Sequence, residues 1–263
     1  MAHELRLFFI AMQFLTRLPA PRAVGFEPDW LNQSARYFPA VGLGVGAAAA
    51  LVMWAAGSVF PPAVAAGLSM AATLVLTGGF HEDGLADTFD ALGGAVSRER
   101  ALAIMKDSRI GSYGALALLI VLGLKAATLT ALPMALAVPA LLLAHTASRA
   151  CAVLLIRWLP YAGDIDDAKA KPLAQRVSAG GTAVALGWAV LVGVALAAWQ
   201  PAQAPLVVLS LLMLASGTFW CFAWLRGRLG GYTGDGLGAT QQITELLVLL
   251  AWLAGPGVAR WVA

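Results

Sequence analysis

Charged side chains are scarce in this sequence. Asp, Glu, Lys and Arg make up 12% of its 263 residues, while 60% are apolar; soluble domains carry roughly 25% charged residues. The shortage excludes an ordinary water-soluble domain and predicts a polytopic membrane protein. Cysteine is scarcer still. Cys151 and Cys221 both sit inside apolar runs, far from any CxxC arrangement. This argues against a thiolate metal centre or a disulfide and for two buried free thiols. A net charge of +3 is too small to mark a nucleic-acid binder, and in a membrane protein such a surplus sets orientation. The N-terminal segment HELRLFFIAMQFLTRLPAPR has charge on both flanks and no small-residue cleavage site. It reads as an interfacial or half-inserted helix, with no cleavable signal expected.

What the chain has is apolar stretches. Seven spans are predicted, near 39–60, 63–80, 113–132, 134–156, 180–199, 205–225 and 243–262. The fold class is therefore all-α, a single membrane-embedded helical bundle over 1–263 with the N-terminal interfacial helix added. The first span opens with GLGVG (Gly42 to Gly46), a small-residue pattern suited to close helix packing that also permits a homo-oligomer. RERALAIMKDSRIG, from Arg98, predicts an amphipathic surface helix. The connections near Pro61, Pro133 and Pro201 contain no Lys or Arg, whereas the alternate ones hold nearly all of them, with Arg260 the exception. Positive residues mark the cytoplasmic side. Every group that could carry chemistry is therefore expected to face the cytoplasm.

Those groups centre on GGFHEDGLADTFDALGG, Gly78 to Gly94, which places four carboxylates within nine positions. In a helix, Asp83, Asp87 and Asp90 are spaced i, i+4, i+7 and share one stripe. Three like charges on one face repel unless a cation lies between them, and hard ions such as Mg²⁺ favour carboxylate oxygens. Aspartates near a helix start also complement its dipole, so the bland reading stands beside this one. A buried Asp costs about 2.5–3.5 kcal/mol on insertion scales, so four uncompensated carboxylates would cost on the order of 10 kcal/mol. The cluster must lie at the wet interface or be neutralised.

A second element is GYTGDGLGATQQITE, Gly231 to Glu245. Its glycines are expected to form a loop whose backbone N–H groups approach a phosphate, with Asp235 between Gly234 and Gly236 and Thr240 capping the helix that follows. It is neither a Walker loop nor a dinucleotide-binding fingerprint. Carboxylates from both elements, Glu82, Asp83, Asp87, Asp90 and Asp235, could join through Mg²⁺ to hold a pyrophosphate. Lys106 and Arg109 could neutralise a leaving phosphate. Arg36, Lys169 and Lys171 are further anion-binding candidates, although topology signalling and anionic lipid headgroups explain the two lysines equally simply. His81, just before Glu82-Asp83, could orient an acid or take a proton. Within the spans, Lys125 could pair or face a cavity, Arg149 is near enough to the water-side end to snorkel, and His145 reads as a helix-packing residue.

The motifs RYFPAVGLGVG, GGFHEDGLADTFDALGG, IMKDSRIGSYG, ASRACAVLLI and GYTGDGLGATQQITELLVLLA, in that order, resemble cobalamin synthase, the adenosylcobinamide-GDP ribazoletransferase family. The similarity runs from FLTRLP at Phe14 to the final span. It implies an inner-membrane enzyme of late cobalamin biosynthesis that joins adenosylcobinamide-GDP to α-ribazole or its 5′-phosphate, releases GMP and requires Mg²⁺. The 3′-hydroxyl of ribazole is then expected to attack the phosphorus nearer the cobinamide. Two rival readings share some of these features. A CDP-alcohol phosphotransferase also uses aspartates on membrane helices, but Phe80 stands at its first Asp position and Asp87-Thr88 replaces its Ala-Arg. A transporter with a carboxylate ion site is the other; the expected lack of acidic residues inside the spans counts against it.

Overall fold

The computed structural model describes residues 2–25, 27–163 and 174–262, without side chains for Pro28 or 255–262. Among the described residues it is built of α-helices with three short 3₁₀ turns and no strand, apart from one isolated bridge between Tyr161 and Tyr232. The helices are α1 (His3–Leu15), α2 (Pro28–Ser34), α3 (Phe38–Gly57), α4 (Pro62–Thr77), α5 (Phe80–Leu92), α6 (Arg98–Met105), α7 (Ser112–Ala131) and α8 (Met134–Trp158). After the undescribed residues come α9 (Ala179–Trp199), α10 (Ala204–Leu229) and α11 (Gly234–Val262).

Six helices are long and apolar enough to cross a membrane, and the bent pair α4–α5 makes seven if it counts as one crossing. The polytopic all-α reading holds. The bend is the departure from seven simple rods: α4 and α5 meet at 89°. Its cause lies in Gly78 and Gly79, which adopt φ of 75° and 71°. That left-handed conformation costs other residues about 1–2 kcal/mol each. The N–H groups of both glycines close back on the Leu74 carbonyl, at 2.7 and 3.1 Å. A Cβ on Gly78 would also run into the Arg17 guanidinium. At 1.5 Å per residue, the 16 residues of α4 reach only about 24 Å, so the chain turns into α5 after a short crossing.

The most enclosed helix is α8, with α3, α9 and α11 around it. Gly42 and Gly46 of α3 lie on the α8 backbone; a Cβ at Gly46 would sit 2.8 Å from the Leu141 carbonyl oxygen. The GLGVG motif thus serves packing within the chain. Cys151 and Cys221 are free and buried, as expected. Trp158 and Trp199 are exposed at span ends, where amphipathic rings favour the membrane–water boundary.

One end of the bundle gathers the charged segments. Arg98 donates to the carbonyls of Leu229 at 2.8 Å and Ala162 at 3.0 Å. Arg228 donates to those of Leu92 at 2.9 Å and Gly94 at 2.6 Å. The Tyr232 hydroxyl reaches the Ala174 carbonyl at 2.9 Å. Helix α6 forms as expected, capped by Ser97, but buries Ala101 and Met105 against the protein. These ties fix the connections after α5, α8 and α10 to one another, in keeping with the charge pattern.

Candidate active site

The α5 stripe and the second acidic element meet directly. A Cβ built on Gly84 would lie 2.9 Å from the Asp235 carbonyl oxygen, 3.0 Å from its Cα and 3.3 Å from the Gly238 Cα. A Cβ on Gly238 would lie 3.2 Å from the His81 carbonyl oxygen. The two helices cross backbone to backbone; a side chain at Gly84 would force them apart, and one at Gly238 would crowd the contact. Gly84 follows Asp83 and precedes Asp87 by less than one turn. Residues about 150 positions apart in sequence therefore share one crossing.

The crossing also corrects the loop expectation. GYTGDGLGA is not a glycine loop; from Gly234 it is the first turns of α11. None of the glycines in the motif has positive φ, only Gly230 just upstream, and Gly236 and Gly238 sit where a side chain would crowd a neighbour. A Cβ on Gly236 would press on Leu225 at 3.0 Å. Thr233, not Thr240, caps the helix, accepting the Gly236 N–H at 3.1 Å. The Thr240 hydroxyl instead bonds back to the Gly236 carbonyl at 2.7 Å.

The predicted site residues separate into groups. Asp83 is exposed, and Asp87 and Asp235 are half-buried. Asp90 is occupied: its carboxylate accepts the Gly111 N–H at 2.7 Å and the Gly114 N–H at 2.8 Å, capping α7 from another helix. Because Gly111 ends the KDSRIG segment, Asp90 pins to α5 the loop that carries Lys106 and Arg109. Both cations are exposed. Arg109 clasps Asp107, Nη2 to Oδ2 at 2.6 Å and Nε to Oδ1 at 3.0 Å, and those bonds hold the Asp107 carboxyl down at about 2. Glu82 lies 100° around the helix from Asp83 and turns inward, accepting from Gln242 at 2.9 Å. Arg36 ties α1 to the start of α3, donating to the Gln33 carbonyl at 3.0 Å and facing Glu4 at 3.5 Å. His81 is buried. Lys169 and Lys171 lie outside the described residues.

Sequence reasoning missed a polar cluster inside the spans. Glu245, in α11, is 4% exposed; it sits 2.6 Å from the Lys125 Nζ, which also donates to Gln242 at 2.6 Å. The His145 ring nitrogen Nδ1 lies 2.8 Å from Glu245, close enough to pair but at an angle that makes no hydrogen bond. Gln241 bonds to both Glu245 and the Ser148 hydroxyl. Arg149 is 2% exposed and donates to the His145 carbonyl at 2.9 Å; it does not snorkel. The spans thus do contain an acid, which removes the absence used against a transporter. That acid is matched by Lys125, however, so it is not an open ion site.

Among the described residues, no three His, Cys, Asp or Glu side chains converge closely enough to hold a metal ion alone. Mg²⁺ seldom uses such a cage; it keeps several waters and takes one or two carboxylates together with substrate phosphates. An all-oxygen set of Asp83 and Asp87, one turn apart, with Asp235 across the Gly84 contact fits that mode. Asp90, engaged by two N–H groups, and inward-facing Glu82 fit it less well.

Fold and site together define a polytopic membrane protein with a carboxylate-rich crossing at one end of its bundle. Residues 7–253 match the cobalamin-5-phosphate synthase family, and the chain belongs to that family. It is 59% identical over 256 residues to the adenosylcobinamide-GDP ribazoletransferase of Leptothrix cholodnii, covering 96% of this chain and 97% of the relative. The transferases of Vibrio cholerae and Shewanella amazonensis are 44% and 45% identical, each over 95% of its own length. In this chain, those alignments cover 96% and 95%. No solved structure matches.

Proposed function

We propose that this protein joins adenosylcobinamide-GDP to α-ribazole, or to its 5′-phosphate, releasing GMP in a Mg²⁺-dependent reaction at the cytoplasmic face of the inner membrane. Beyond family membership, one observation carries the reading: the Gly84–Asp235 contact brings acidic residues of two distant segments to one crossing. A diphosphate linkage held there meets oxygen donors and nearby cations at once.

The ribazole 3′-hydroxyl forms a P–O bond to the phosphorus nearer the cobinamide. The bond from that phosphorus to the bridging oxygen breaks, and GMP leaves with the bonding electrons. Phosphoryl transfer needs chiefly alignment and charge neutralisation. Mg²⁺, when bound, supplies a Lewis acid that neutralises phosphate charge. Asp83, Asp87 and Asp235 would hold it, with Glu82 and Asp90 shaping the site from its edges. Asp90 does so through the loop it anchors. Lys106 and Arg109 on that loop stabilise charge on the departing GMP. Gly234 and Gly236, in the first turn of α11, offer N-terminal helix dipole to a phosphate. The hydroxyl proton goes to His81 or to a ridge carboxylate not engaged by metal.

Purified protein in nanodiscs should release GMP from adenosylcobinamide-GDP only with added ribazole and Mg²⁺. Cation flux without that release would instead establish transport, and turnover of a CDP-alcohol would establish the other rival.

A further inference from the structure

The polar cluster inside the spans has no part in the reaction above, yet one of its bonds reaches the α5 ridge. Gln242 stands at that junction. Its side-chain carbonyl accepts from the Lys125 ammonium at 2.6 Å, and its amide nitrogen donates to Glu82 at 2.9 Å and to the Gln241 side-chain carbonyl at 2.9 Å. The neighbours admit one orientation of this amide. An ammonium only donates and a carboxylate only accepts, so a flipped Gln242 would set N–H against N–H at Lys125 and oxygen against oxygen at Glu82. Lys125 is held in turn by Glu245 at 2.6 Å, and Gln241 by Glu245 and Ser148.

Gln242 also occupies the right face of its helix. Asp235, Gly238 and Gln242 of α11 are spaced i, i+3, i+7 and share one stripe. The first two meet α5 at Gly84 and His81 through glycine contacts. A glycine contact offers no side chain to stop one helix rotating or sliding on the other. The Gln242–Glu82 bond supplies that stop; fixing helix register is the best-attested use of a buried polar group. Without it Glu82 would not stay inside. Its Oε2 is buried and makes no hydrogen bond among the described residues, and a buried carboxylate stripped of its partner turns toward water. Asp83 is the next residue, so a rotation of α5 that exposes Glu82 carries Asp83 and Asp87 with it.

We infer that Gln242 is a positioning residue for the ribazole transfer proposed above, on which the inference rests: by holding Glu82 inward, it fixes the rotation of α5 against α11 and so the aim of Asp83 and Asp87. Glu82 is then the anchor of the ridge.

The test exchanges the two partners. Gln242→Glu keeps the shape of the side chain but turns its donor into an acceptor facing Glu82. Adding Glu82→Gln puts a donor back opposite it with the total charge unchanged. In nanodiscs, Gln242→Glu should quicken amide exchange over residues 80–87 at least tenfold and lower kcat for GMP release at least tenfold, with KM for both substrates within about threefold of wild type. The double variant should recover most of both losses. Gln242→Met, which cannot donate, should show the same losses and gain nothing from Glu82→Gln. A Gln242 that served stability alone would reduce the folded fraction and leave kcat of that fraction intact. Should Gln242→Glu fail to fold, Gln242→Met decides the matter. Wild-type exchange and kcat in folded Gln242→Met, or a double variant no better than Gln242→Glu, would overturn the assignment. If wild-type protein makes no GMP from the two substrates, the transfer reading fails, whereas amide exchange still reports whether Gln242 holds α5.

Discussion

Replacing Gly84 with alanine tests the crossing with a single methyl group. In isolation, alanine in a helix is about 1 kcal/mol better than glycine. Here the new Cβ would lie 2.9 Å from the Asp235 carbonyl oxygen, whereas ordinary contact begins near 3.4 Å, so α5 and α11 must part by 3.4 − 2.9 = 0.5 Å. The neighbour is backbone and cannot swing away. Overpacking of this kind costs about 1–3 kcal/mol, so net stability should fall by zero to about 2 kcal/mol after the propensity gain. The larger effect falls on alignment. A 1 Å misplacement costs on the order of 100-fold in rate, so half of that should cost about tenfold in kcat/KM. GMP release from adenosylcobinamide-GDP and ribazole in nanodiscs reads the effect directly. Gly123→Ala, where an added Cβ meets nothing within 4 Å, is the control and should keep wild-type turnover. Folded Gly84→Ala protein with turnover within twofold of wild type would show that alignment at the crossing does not matter, and equal damage from Gly123→Ala would show that the effect is not specific to it.

Asp90→Ala should lower stability by about 1–2 kcal/mol through loss of an N-cap and loosen the segment around Gly111, seen as faster amide exchange there; unchanged exchange would show that the cap is dispensable. Glu245→Leu alone should cost about 3–5 kcal/mol by stranding Lys125, and the double variant with Lys125→Met should recover most of it, measured by unfolding in mixed micelles. Additive losses would contradict a paired cluster. The Asp107 carboxyl is depressed from 3.8 to about 2 by Arg109. Its clasp should therefore be fully present above pH 3.8 and be lost as pH falls through about 2. Carboxyl ¹³C NMR checks this, and titration near 3.8 would show that the clasp is absent in solution.

The spans were legible because an apolar run long enough to cross a bilayer has few other uses, and the alternating charge pattern put the charged connections together, as their mutual hydrogen bonds bear out. The α4–α5 bend was half legible: Gly78-Gly79 marked a break, but its 89° angle comes from the left-handed pair and from Arg17 packed against it. GYTGDGLGA misled because glycine-rich sequence looks like a loop by propensity. The fold overrides that preference, since close helix approach rewards the missing Cβ more than helix propensity penalises it. Thr233 was the signal available, an N-cap residue directly before Gly234. The spacing of Asp83, Asp87 and Asp90 correctly gave a shared stripe, yet no periodicity reveals that Asp90 caps a helix more than twenty residues away. Glu245 escaped notice because the last span was started at Ile243, which left an ionised residue near its edge. Extending the helix back to Gly234 puts Gln241, Gln242 and Glu245 together inside the bundle.

We propose that α5 and α11 jointly hold a divalent cation against a diphosphate. Mn²⁺ titration followed by electron paramagnetic resonance, on nanodisc protein with adenosylcobinamide-GDP and no acceptor, addresses it without turnover. Tight Mn²⁺ binding to wild type that weakens at least tenfold in Asp83→Asn, Asp87→Asn and Asp235→Asn alike is the result expected. Wild-type Mn²⁺ affinity in Asp235→Asn, with its fold intact, would contradict it.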